Sequence, residues 1–271
     1  MEKWSERHPY RISILTALLM TLIVVAGNVV SNVMGLDAYI KGAGYYLAVS
    51  VANLINITIA VVIMHKSGRS FQNYGFRRLE KDSFAKVWFL LPGIIEAVLP
   101  VVLVDVVSDM TASLAVVLVF FTITIAFTEE MFFRGLILKY IEKEGVKRSV
   151  LVSSIIFGAM HLANTLGGNS IPSTILQVFF AFLFGVVCAE VVYLTKSLWL
   201  PIIWHMTHDF ISYITEESFT LGSLSEETSI LLLGAVQFIL LIIYAVSLWN
   251  KLSRETERTT GKTSKNMIRQ A

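Results

Sequence analysis

Eight times along its length the sequence turns apolar for about as long as a helix needs to cross ~30 Å of hydrocarbon, and no other feature restricts its fold as much. With soft edges the stretches are Ile12–Met34, Tyr45–Met64, Val87–Val107, Thr111–Leu138, Val150–Ala163, Ile171–Leu194, Leu198–Ile214 and Ile230–Trp249. Membrane-spanning strands would instead alternate in character over ~10 residues. The chain is 55% hydrophobic and 15% charged, with a mean hydropathy of +0.68. A soluble domain of this size could not cover such a composition with polar surface. The expectation is an all-α, polytopic membrane protein: a bundle of about eight transmembrane helices around an interior cavity. The first stretch outruns a signal-peptide core and lacks an A-x-A-like cleavage site, so it reads as a retained span.

Basic residues near span ends favour the cytoplasmic side, and here they sort by loop. Twenty of the 22 Lys and Arg fall in the N-terminus, the even-numbered loops and the C-terminal tail. Lys41 and Arg134 are the exceptions, whereas Asp37, Asp105, Asp109 and the stretch Glu216 to Glu227 lie on the other side. An integral membrane protein with both termini cytoplasmic satisfies this pattern. The net charge of +2 then reflects topology, with no clustered basic and aromatic surface for nucleic acid. Cys188, the single cysteine, permits no internal disulfide and reads as a small buried hydrophobe.

Neither an internal repeat nor an appended soluble domain is visible. Residues 1–250 read as one transmembrane domain and 251–271 as a basic cytoplasmic tail, disordered by composition. The segment His65 to Lys86 mixes basic and apolar residues and could lie along the inner interface. Pro92 and Pro100 flank Glu96 in the third span, and the fifth span ends early at NTLGGNSIPS. Broken or short spans belong beside protein or a water-filled cavity.

Charge inside a span is expensive and usually functional. The fourth span holds Glu129, Glu130 and Arg134. At ~100° per residue, Glu130 and Arg134 share a face, and Glu129 points ~140° away from the guanidinium. A paired carboxylate stays ionised, and an unpaired, desolvated one holds a proton more readily. Glu129 therefore reads as a general base and the Glu130–Arg134 pair as a structural clamp. The fifth span adds Phe157 and His161 on one face, with Gly158 and Ala159 small enough for another helix to close in. The seventh carries His205, His208 and Asp209 within roughly one 100° arc, a cluster that could activate water or supply metal ligands. Glu129 lies ten residues from Lys139, roughly 15 Å along the helix, and His161 twelve from Ser149, roughly 18 Å, so the two sit at similar depth. For Glu96, Glu190 and Gln177, hydrogen bonding within the bundle or snorkelling is the expected role.

HExxH, the rhomboid Gly-x-Ser-Gly and the GxGD aspartyl pattern are all absent. Glu129-Glu130-xxx-Arg134, Phe157-xxx-His161 and His205-xxx-Asp209, in that order, resemble the EExxxR, FxxxH and HxxxN/D motifs of the CPBP family, which comprises CAAX-type proteases (type II CAAX prenyl endopeptidases) and bacteriocin-processing enzymes. Phe132-Phe133-Arg134-Gly135 and Ser197-Leu198-Trp199-Leu200-Pro201 extend the likeness, which covers about 120–213. The resemblance implies an intramembrane endopeptidase that cuts a membrane-associated peptide or protein, prenylated in eukaryotes, in a cavity open to cytoplasm and bilayer. By the same likeness, Glu129 with His161 would activate the water, and His205 with Asp209 would line the oxyanion side.

The third motif most often ends in Asn. An ionised Asp209 cannot donate to an oxyanion, so it would be protonated, orient His205 or bind a metal. No cofactor is expected, since Glu129 has no second neutral ligand on its own helix; the alternative is a divalent metal such as zinc, which His208 would favour. The rival to an enzyme is a non-catalytic bacteriocin self-immunity or scaffold protein of the same fold. A transporter should show repeats that this chain lacks.

Overall fold

The computed structural model describes residues 7–36, 43–80 and 91–270, with backbone alone from 258 onward. Apart from one isolated bridge between Val106 and Thr215, every named element among them is helical. In order these are α1 (Pro9–Met34), α2 (Ala43–Lys66), α3 (Leu91–Leu103), α4 (Ala112–Glu130), a π-helical segment Met131–Ile137, α5 (Leu138–Ile141), α6 (Val146–Met160) with a 3-10 extension His161–Gly167, α7 (Ile171–Thr195), α8 (Trp199–Ile214) and α9 (Glu226–Gln270).

The surface is apolar and the interior carries the charge. Leu22, Val33, Val116 and Leu166 are exposed, whereas Glu96, Glu130, Arg134 and Glu190 are buried. Six helical runs are long and apolar enough to cross a bilayer. The chain is an integral, multi-pass membrane protein. The other two expected spans are shorter: α3 has 13 residues and α8 has 16, or roughly 20 Å and 24 Å of helix. The expected start of the third span, 87–90, lies outside the described residues, as do Lys3, Asp37, Lys41 and 81–86. Both short helices are sheltered by protein, with α3 packed on α8 and α9, and α8 on α4.

Close approach between helices depends on small or polar side chains. A Cβ at Gly158 of α6 would stand 2.8 Å from the Val178 carbonyl oxygen of α7, so only glycine lets these helices meet so closely. The Thr128 hydroxyl donates to the Asn53 carbonyl at 3.1 Å, tying α4 to α2, and Asn56 Nδ2 donates to the Met20 carbonyl at 3.1 Å, tying α2 to α1. At one end of α8 the Val107 amide donates to the Ile214 carbonyl at 2.9 Å. At its other end the Leu198 amide donates to the Gly75 carbonyl at 2.8 Å and the Ser197 hydroxyl to the Arg77 carbonyl at 3.1 Å. The first part of the segment expected along the interface is thus folded onto the α7–α8 junction. α9 continues unbroken past Trp249 to Gln270, through the tail expected to be disordered. Lys, Arg, Glu and Gln propagate a helix readily once the preceding span has nucleated it.

Candidate active site

At the heart of the bundle the fourth expected span changes its winding. The Leu138 amide reaches back five residues to the Phe133 carbonyl, giving a π turn whose seven residues are all buried. The Ser153 hydroxyl of α6 donates to the same carbonyl at 3.0 Å, which holds the widened turn against its neighbour. Single π turns inside α-helices recur at functional sites, and this one follows directly on Glu129 and Glu130.

Arg134, carried by that turn, is 1% exposed, and its Nη1 donates to Glu130 Oε1 at 2.8 Å. Its guanidinium lies 4.3 Å from the ring centre of Phe157 on α6, a cation–π contact strengthened by the absence of water. Gly185 of α7 leaves the space for it: a Cβ there would stand 3.3 Å from Arg134 Nη2 and 3.1 Å from Phe157 Cδ1. Phe157 also meets the rings of His161 and His205 edge-on, at 4.9 Å and 6.3 Å.

His205 joins the glutamates to the third motif. Its Nδ1 lies 3.0 Å from Glu130 Oε1. An ionised Glu130 can only accept, so Nδ1 carries a proton. The other nitrogen, Nε2, faces two carboxylates, with Glu129 Oε2 and Asp209 Oδ2 each at 3.6 Å. Between two such acceptors a proton belongs on Nε2 or on one of the carboxylates. The adjacent glutamates therefore grip opposite edges of one imidazole. They differ in access: the Glu130 side chain is 0% exposed and that of Glu129 21%, with Asp209 at 19%.

His161 sits where α6 tightens into its 3-10 extension, just beyond Met160. Its Nδ1 donates to the Phe157 carbonyl at 2.9 Å, since a carbonyl only accepts, and Nε2 is left as the basic nitrogen. The arrangement thus sets Arg134, His161 and His205 around the Phe157 ring, and Glu129, Glu130 and Asp209 around the ring of His205. It also differs from the sequence reading in one respect, because His205 contacts the glutamate pair directly instead of standing only with Asp209 across the site.

His208 does not join them. Its Nδ1 lies 3.1 Å from Glu96 Oε1 on α3, a charge contact whose angle falls outside hydrogen-bond geometry. Its ring stacks on Phe180 at 5.2 Å. Among the described residues no three His, Cys, Asp or Glu side chains converge as a metal-holding group. The second imidazole of HxxHD is turned to α3. Gln177 accepts from Asn164 Nδ2 at 2.8 Å, in keeping with a bonding role, whereas both carboxylate oxygens of the buried Glu190 lack a hydrogen-bond partner among the described residues.

Phe184 of α7 was not legible as a site residue. It stacks on Trp204 at 4.2 Å and closes on the His205 ring at 5.0 Å, yet nothing distinguishes it in sequence from the other aromatics of its span.

No curated protein and no solved structure matches the chain at a significant level. Residues 111–211, which hold every motif residue above, match the family model described as Rce1-like, type II CAAX prenyl endopeptidase Rce1-like; in this core the chain is similar to that family of membrane proteases.

Proposed function

We propose that the protein is an intramembrane endopeptidase in which Glu129 and His161 activate a water and His205 stabilises the oxyanion. The observation that carries this is the division of labour across His205: Glu130 is sealed and paired with Arg134 at 2.8 Å, and Glu129 is reachable and carries no such cation. Glu129 takes a proton from the water as its oxygen forms a bond to the scissile carbonyl carbon. His161 Nε2 accepts the water's second hydrogen and so fixes its orientation. The oxyanion receives the hydrogen on His205 Nε2, with Asp209 holding that ring in place and Glu130 fixing it from the opposite edge. The carbon–nitrogen bond then breaks, Glu129 returns its proton to the departing amine, and the new carboxylic acid releases the water's second proton through His161 Nε2 to solvent, leaving a carboxylate and a free amine.

This role for Asp209 needs no proton donation from its carboxyl, which accommodates the substitution for Asn. No metal enters the scheme. The substrate class that the family description supports is a membrane-associated protein or peptide with a lipidated C-terminal region. With the basic loops and both termini on the cytoplasmic side, it would be cut from that side. The test is cleavage of a quenched-fluorescent peptide library, prenylated members included, by purified protein with and without exhaustive chelation. Cleavage that survives chelation supports the proposal. Cleavage abolished by chelation and restored by zinc would replace it with a metalloprotease, and a folded protein that cuts nothing would favour a non-catalytic role.

A further inference from the structure

The Glu96–His208 contact is a second buried polar cluster that the proposed chemistry does not use. Glu96 is 0% exposed on α3. Its Oε1 also lies 3.3 Å from Gln237 Nε2 of α9, and the same amide donates to the Glu96 backbone carbonyl at 3.3 Å. One turn earlier the Trp204 indole donates to the Gly93 carbonyl at 2.9 Å, so α8 is joined to α3 at two successive levels. Three helices thus meet at one carboxylate with little access to water, and such a group is retained at a cost unless it does something.

What it does follows from the neighbours on α8. His208 is adjacent in sequence to Asp209, and His205 lies one helical turn before both on α8. Asp209 Oδ2 is also a partner of His205 Nε2, at only 3.6 Å. An imidazole released beside that carboxylate would compete with His205 for it. The geometry points to Glu96 as a positioning residue: by holding His208 on α3, with Gln237 steadying the carboxylate, it reserves Asp209 for His205. Phe180, stacked on the His208 ring at 5.2 Å, and Phe184, at 5.5 Å, limit the other directions in which the ring could settle.

This inference rests on the catalytic reading for its kinetic arm and stands without it for its structural arm. The kinetic arm compares Glu96→Gln, His208→Gln and the double variant. Glu96→Gln is expected to lower kcat about tenfold or more with KM within about twofold, since one misplaced catalytic group costs roughly that much. The double variant is expected to recover most of the loss, because the competitor is gone. A purely structural tie between α3 and α8 predicts the reverse, with the double variant no better than the single one, and that result overturns the inference. The structural arm uses full-length protein in micelles with labelled histidines, of which the chain has 5. Glu96→Gln should move the ring signals of both His208 and His205, and a change at His208 alone refutes the proposal. Should Glu96→Gln fail to fold, Gln237→Ala loosens the same carboxylate and is expected to shift both rings in the same sense; unmoved rings there count against it. If the wild type cuts nothing, the catalytic reading falls, and the two ring signals still decide this one.

Discussion

Replacing Arg134 by Met would remove a charge while keeping much of the side chain's length and apolar stem. Glu130, 0% exposed, would then lose a partner at 2.8 Å and keep His205 at 3.0 Å on the same oxygen. Breaking a buried pair from one side costs about 3–5 kcal/mol because it strands the remaining charge. The surviving His205 contact places the expected value near 3 kcal/mol, to which the lost stacking on Phe157 at 4.3 Å adds about 1 kcal/mol. Against a total stability of about 5–15 kcal/mol this is a large fraction, equivalent to a rise of roughly 10²- to 10³-fold in the unfolded population. The protein carries its own reporter, since Cys188 is the only cysteine and is 0% exposed. Its labelling by a thiol-reactive dye during heating in detergent reads the unfolding directly. Arg134→Met should label at markedly lower temperature. Adding Glu130→Gln should recover part of the loss, because the stranded charge is gone. Wild-type labelling of Arg134→Met, or a double variant less stable than the sum of the two singles, would refute the clamp.

Other substitutions separate structure from chemistry. Gly158→Val should destabilise by about 1–3 kcal/mol, read by earlier Cys188 labelling, because the new Cβ meets the Val178 carbonyl at 2.8 Å. Asp209→Asn should keep kcat within about tenfold of wild type, and Asp209→Ala should lose more, since the proposed role is to hold His205 at 3.6 Å rather than to donate. Lys196, at the α7–α8 junction, has its pKa lowered, first by burial and then by Lys139 nearby. The folded state therefore binds that proton less tightly than the unfolded chain, so stability should rise as pH climbs through the window just below the usual lysine range. Cys188-independent melting should show this rise, and Lys196→Met should flatten it.

The apolar periods were legible because bilayer thickness sets span length and because backbone polar groups in hydrocarbon must be satisfied internally. The three motifs were legible because a charge at membrane depth is too costly to keep without a partner or a task. What was not legible depends on contacts between distant parts of the chain. The π turn at Met131–Ile137 relies on Ser153, twenty residues on, holding the Phe133 carbonyl, and no local pattern announces it. His205 and His208 occupy neighbouring directions on one helix, so their spacing cannot say that one turns to α4 and the other to α3. Only the packing of α8 between those helices separates them. Gly185 shows the same limit: it reads as a generic small residue until Arg134 is seen against it.

The most direct test of the central claim is the turnover of Glu129→Gln on a peptide that the wild type cleaves, with Cys188 protection measured on the same preparations. Glu129 is a largely buried carboxylate, 21% exposed, so removing its charge removes a desolvation cost and should leave stability equal or slightly higher. The account predicts that kcat falls by about 10²- to 10⁴-fold, the usual worth of a general base, in a protein that melts no earlier than wild type. Wild-type turnover in a well-folded Glu129→Gln would contradict it, and would move the base to another residue of the site.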